Sequence, residues 1–176
     1  STLSSSSAAS DVYKRQTLHR FLFDRSASAE FLGTILILDS EGNVVYDSQT
    51  IEPPKANFAD RDFFQVHRDS ADAGMYVSRP YRSRLRDGDE SIGISRRLSN
   101  LDGSFAGVVT GSLRLAFFRE RFARLSLGPQ DSITILRNDG AVIARSPYSS
   151  TDLGADIGQA LSLIHISEPT RRTPIS

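Results

Sequence analysis

Residues 35–48, Ile-Leu-Ile-Leu-Asp-Ser-Glu-Gly-Asn-Val-Val-Tyr-Asp-Ser, come back at residues 133–146 as Ile-Thr-Ile-Leu-Arg-Asn-Asp-Gly-Ala-Val-Ile-Ala-Arg-Ser. The offset is a constant 98, and six positions are identical: Ile35/Ile133, Ile37/Ile135, Leu38/Leu136, Gly42/Gly140, Val44/Val142 and Ser48/Ser146. Each copy is an apolar, β-branched run, a polar turn carrying glycine and a second apolar run, the pattern of a β-hairpin. Each also follows a helical pattern, Thr17–Phe31 before the first and Leu115–Leu125 before the second, so the unit that recurs is helix then hairpin.

Between the two copies, the Glu52–Asn57 stretch reads as a loop. Asp60 is placed to cap a short helix over residues 61–69, with Asp62 in its first turn and Gly74 at its end. Met75–Val77 reads as a short strand, and Ser91–Leu98 and Phe105–Leu113 as two longer ones joined by a turn at Asn100–Gly103. Strands bunched together and flanked by helices make an α+β fold.

The 176 residues carry 21 basic and 21 acidic side chains, 39% hydrophobic residues and no cysteine or tryptophan. This is a globular composition, with no basic excess to draw nucleic acid. The absence of cysteine excludes disulfides and thiolate metal sites. No run reaches the ~18 apolar residues of a membrane span.

The two ends stand apart. Written as GAT GTG TAT AAG AGA CAG, Asp11–Gln16 has the reverse complement CTG TCT CTT ATA CAC ATC. This encodes Leu-Ser-Leu-Ile-His-Ile, the sequence of residues 161–166. Two ends encoded by opposite strands of one oligonucleotide are expected of an insert flanked by adaptors, and Ser6–Gln16 and Leu161–Arg171 resemble translated sequencing adaptors. Residues 1–16 and 161–176 are therefore set aside from the natural domain. Taking Lys14, Arg15, Arg171 and Arg172 from 21 basic residues, and Asp11 and Glu168 from 21 acidic ones, leaves 17 against 19. On this division residues 17–127 form the N-terminal helix and a first lobe, and residues 128–160 begin a second lobe that the chain does not complete.

Chemistry concentrates in residues 58–84, which hold Arg61, Arg68, Arg79, Arg82 and Arg84 with His67 and several aromatics. Arginine presents a fork of donors matched to a carboxylate or phosphate, and aromatic faces can wall off the apolar part of a small ligand. On a helix over 61–69, Arg61, Phe64 and Arg68 share one stripe, and Phe63 and His67 a neighbouring one. Arg61, Phe64 and Tyr81 form the expected inward set, while Arg82, Arg84 and Arg86 alternate toward a surface. His67 is the one candidate catalytic acid or base in the segment, with no nucleophile or metal-ligand constellation around it. It leaves open a soluble enzyme fragment acting on an anionic substrate.

The order of these pieces resembles the double Cache sensor domains, PAS-like extracytoplasmic modules of bacterial diguanylate cyclases, histidine kinases and chemoreceptors. The resemblance is carried by the first hairpin, Asp-Arg-Asp-Phe-Phe at 60–64, Ser-Arg-Pro-Tyr at 78–81, Ile-Ser-Arg-Arg-Leu at 94–98, Asp-Gly-Ser-Phe-Ala-Gly-Val-Val at 102–109, the Phe-Phe helix and the second hairpin. It implies a PAS-like antiparallel sheet flanked by helices, a long N-terminal helix and a truncated second lobe. It also implies a non-enzymatic, periplasmic ligand sensor without cofactor or metal, dimerising through the N-terminal helix and joined to the inner membrane by segments outside this sequence. In its amino-acid-binding branch an Arg-x-Trp-Tyr segment and a Pro-Tyr-x-Asp segment hold the ligand. Arg61 matches the carboxylate-binding arginine, Phe63 and Phe64 the aromatic pair, and Tyr81 the tyrosine after proline, with His67 and Arg79 beside them. Phe64 lacks the hydroxyl, and Ser83 stands where the amine-binding aspartate belongs. An α-ammonium group would lack its counter-charge, so the resemblance points here to a small carboxylate-like anion.

Overall fold

The computed structural model describes residues 3–23, 32–85, 87–125, 128, 130–148 and 154–156. Helix α1 (Leu3–Leu22) is followed by strands β1 (Leu32–Asp39) and β2 (Val44–Asp47), helix α2 (Asp62–Asp69), and strands β3 (Met75–Val77), β4 (Tyr81–Arg82), β5 (Glu90–Ser99) and β6 (Phe105–Arg114). Helix α3 (Ala116–Ala123) and a second hairpin of β7 (Ile133–Leu136) and β8 (Val142–Ser146) complete it. The first six strands make one antiparallel sheet in the order β2-β1-β6-β5-β3, with β4 pairing β5.

Because side chains alternate along a strand, the register sorts the sheet into two faces. Leu36 lies opposite Thr110 and Leu38 opposite Val108, while Gly93 lies opposite Ser112 and Ser95 opposite Thr110. These share the face covered by α2, where Leu36, Leu38 and Val108 pack with Phe58, Phe63 and Phe64. Leu38, Phe64 and Val108 are fully buried, and each such side chain contributes about 1.5–3 kcal/mol relative to an exposed one. The other face carries Ile92 opposite Leu113. There Ile92 and Leu113 pack with Leu115 and Phe122 near α3 and with Ile143 and Ala144 of the second hairpin.

The two hairpins are copies in three dimensions. Ile37 pairs with Tyr46 and Leu38 with Val44, as Ile135 pairs with Ala144 and Leu136 with Val142. The register slips at the same step in both, and the turn glycines have φ of 86° and 85°. Such values suit glycine because it carries no Cβ. The Val44 and Val142 N–H groups each donate to a backbone carbonyl of a later segment, at Ala56 and Ala155.

Three boundaries move. Asp60 does not cap α2: its carboxylate is held by Arg84 at 2.8 and 2.5 Å. The N-cap is Arg61, without a side-chain cap bond, and Asp62 Oδ1 takes the Phe63 N–H instead. Helix α3 ends at Ala123, leaving Leu125 exposed. The N-terminal helix is present, but begins at Leu3, inside the segment set aside from the sequence; residues 24–31 of the expected helix lie outside the described residues.

Candidate ligand-binding site

Between α2 and the sheet lies a cavity of about 20 Å³, room for one or two water-sized groups. Phe58, Phe63, Tyr81 and Leu85 wall it, and Thr34, Ser83, Thr110 and Ser112 bring hydroxyls to its lining. Three of those hydroxyls are engaged. Thr34 Oγ1 donates to Asp47 Oδ1 at 2.7 Å. Ser112 Oγ accepts the Thr34 N–H at 2.9 Å, and Ser83 Oγ accepts the Leu85 N–H at 3.3 Å. Thr110 Oγ1 is buried without a partner. No charged side chain is among the lining residues.

Arg61 is not among the lining residues but adjoins one of them, Tyr81. Its guanidinium lies over the Tyr81 ring, 5.0 Å from the centroid, and Nη2 donates to the Arg82 carbonyl at 3.1 Å. Its Nε–H is buried and unpartnered, which leaves a donor of a permanent cation unspent. Tyr81 in turn meets Phe63 at 5.6 Å between ring centroids. Phe63 rather than Phe64 therefore stands beside Tyr81. Phe64 points into the core, edge-on to Phe105 at 5.5 Å, because α2 buries both rings and only one can face β4.

The remaining residues expected at the site go elsewhere. His67 is completely buried behind the cavity, Nε2 3.0 Å from Ser95 Oγ, with Nδ1 unpartnered. Burial, foremost, holds its pKa below the ordinary 6.5. A side chain sealed in this way, with no path to a substrate, is a poor acid–base catalyst. Arg79 reaches the second hairpin, pairing with Asp139 at 3.0 Å, while its backbone N–H bonds Asp62 Oδ2 at 2.8 Å. Tyr76 Oη donates to the same carboxylate oxygen at 3.2 Å, so the first turn of α2 is pinned to the β3–β4 segment.

The surface arginines divide. Arg82 is 78% exposed on its side chain. Arg84 clamps Asp60, donates to the Asn57 carbonyl at 2.9 Å and lies over the Phe58 ring. It thereby fastens the segment that carries Ser83 and Leu85 across the cavity. The Arg84 hydrogen bond is the largest influence lowering the Asp60 pKa. Arg86 lies outside the described residues. Sequence reading missed Thr110, Phe58 and Leu85; period-2 alternation along β6 puts Thr110 on the Val108 face, but only the packing of α2 makes that face a cavity wall.

Among the described residues no group of three or more His, Asp or Glu could hold a metal. No helix among them is long and apolar enough to cross a membrane.

No protein-family model matches the chain, and no curated protein does. Solved structures do. The extracellular domain of a candidate histidine kinase, rpHK1S-Z16, is 26% identical with a TM-score of 0.64, over 88% of this chain and 68% of that one. The ligand-binding domain of the Pseudomonas fluorescens chemoreceptor CtaA, solved with L-serine, is 15% identical with a TM-score of 0.57, over 89% and 71%. That of the Pseudomonas aeruginosa chemoreceptor PctB, solved with L-Gln, is 13% identical with a TM-score of 0.62, over 83% and 58%. At these identities the two chemoreceptor domains share the fold alone. The α+β architecture is that of extracellular sensor domains of histidine kinases and chemoreceptors, PAS-like in its antiparallel sheet and flanking helices.

Proposed function

We propose that this chain is the sensing part of a bacterial transmembrane signalling protein of the double Cache kind, exposed outside the cytoplasm, that takes up a small carboxylate-like anion at Arg61. The observation that carries this reading is the buried, unpartnered Arg61 Nε beside a small cavity walled by Tyr81 and Phe63. It is supported by the likeness of the fold to extracellular sensor domains, some solved with amino acids. An amino acid fits this chain less well. The cavity has no acidic side chain in its lining, and Ser83 stands where the resemblance to the amino-acid-binding branch would put the aspartate. A buried ammonium group without one is costly.

The sensor itself performs no chemistry in this reading. Ligand favours one arrangement of α2, β4 and the sheet, and the difference in affinity between two arrangements sets how far the population shifts. Residues 17–127 make the ligand-binding lobe and 128–160 the start of a membrane-proximal lobe. The N-terminal helix pairs two copies and leads toward the membrane and an effector such as a kinase, diguanylate cyclase or chemoreceptor module. Residues 1–16 and 161–176 are adaptor-derived.

Thermal unfolding of the full chain across a panel of small mono- and dicarboxylates tests the site. At least one acid raises Tm, and Arg61→Gln removes that rise while leaving the unliganded Tm within a few degrees. A panel without effect on the wild type ends the anion reading.

A further inference from the structure

Thr110 is 4% exposed, on the central strand β6, and its Oγ1 has no hydrogen-bond partner. Buried polar groups are paired with few exceptions, and an exception calls for an explanation. The other hydroxyls of the same cavity have protein partners, as described above for Thr34, Ser83 and Ser112. Thr110 is thus the one donor-acceptor in that lining left for something that is not protein.

The cavity also limits what that something is. At about 20 Å³ it admits a group the size of a hydroxyl or a water. With no cation in its lining, a carboxylate placed there would be an uncompensated charge in an apolar setting. The free cationic donor sits outside, on the face of Tyr81. Gly93 lies against the same two residues: a Cβ there would stand 3.3 Å from Thr110 Oγ1 and 3.1 Å from Phe63 Cδ1.

We propose that the ligand is a small hydroxy acid, its hydroxyl seated on Thr110 Oγ1 inside the cavity and its carboxylate held by Arg61 at the mouth. This rests on the reading of Arg61 as the anion partner and adds a second contact that selects among anions. A site built to bond a hydroxyl discriminates against the analogue lacking one, because its own buried polar group is then left unmet.

Titration calorimetry and thermal unfolding of the full chain with three matched pairs test it: glycolate and acetate, 3-hydroxypropionate and propionate, 4-hydroxybutyrate and butyrate. At least one hydroxy acid binds about tenfold tighter than its parent, the equivalent of one buried hydrogen bond. Thr110→Val, which keeps the shape and removes the hydroxyl, brings the two members of that pair to equal affinity. Thr110→Ser keeps the preference, showing that it follows the hydroxyl and not the fold. Arg61→Gln weakens both members alike. The proposal is overturned if the wild type shows no preference in any pair, binding or not, or if Thr110→Val retains it. Parent and hydroxy acids binding equally, with Arg61 required, defeats the Thr110 contact and leaves the anion site standing. A Thr110-dependent preference with both affinities unchanged by Arg61→Gln defeats the anion site and leaves Thr110 standing.

Discussion

Replacing His67 by glutamine should remove a pH dependence of stability without touching ligand binding. His67 is fully buried, with Nε2 3.0 Å from Ser95 Oγ, which in turn lies 3.5 Å from the Tyr76 carbonyl. With Nε2 donating to Ser95, Nδ1 remains a bare acceptor, the less costly way to leave a ring nitrogen unpaired. Protonation would make Nδ1 a charged donor facing nothing, with the Arg97 guanidinium bonded to the His67 carbonyl at 2.5 Å. Burial first, and then Arg97, hold the folded-state pKa below 6.5. The unfolded chain therefore binds more protons below pH 6.5, so stability rises with pH through that window and falls on acidification. The slope for one proton cannot exceed about 1.4 kcal/mol per pH unit, so between pH 6.5 and 5.5 the loss is about 1 kcal/mol at most. Urea midpoints measured from pH 5.5 to 7.5 read it directly. Glutamine retains a donor for Ser95 and does not titrate, so His67→Gln flattens this part of the profile and leaves any ligand-induced rise in Tm intact. A variant that keeps the wild-type slope, or that loses the ligand response, would refute this assignment of His67 to the core.

Gly107 has φ of 144°, and a Cβ there would collide with the Leu38 carbonyl oxygen on the neighbouring strand; Gly107→Ala should cost about 3 kcal/mol or more, seen as a lower urea midpoint. Arg84→Ala frees the segment carrying Ser83 and Leu85 from Asp60. Its exposure keeps the stability loss near 1 kcal/mol or less, but amide hydrogen exchange over residues 83–85 should speed up, and unchanged protection there would contradict a clamp. The hydrogen bond from Arg137, chief among several contacts, lowers the Asp139 pKa from 3.8 to about 2. Its contribution is present above pH 3.8 and lost as pH falls toward 2. Asp139→Asn should cost less than about 1 kcal/mol at pH 7 and only a small fraction of that at pH 2, measured by thermal unfolding.

The strands were legible because their signals are local. Alternation and glycine turns placed β1, β2, β5, β6 and the second hairpin to within a residue or two, and the 98-residue offset carried even the shared register slip at Leu38 and Leu136. Helix ends were less legible, because the Asp60 carboxylate that would cap α2 is claimed by an arginine 24 residues away.

What the sequence determined by itself is the order of elements, the doubled hairpin and the segment where arginine and aromatics gather, since each follows from spacing along the chain. The tertiary structure decided which of those side chains meet. It turned Phe63 and not Phe64 to Tyr81, sank His67 between α2 and the sheet, sent Arg79 to the second hairpin, and left the Thr110 hydroxyl at the cavity without a partner. Spacing along a helix or strand fixes a direction relative to its own axis. What stands in that direction is fixed by β4 and β6, which reach the site from 20 and more residues away.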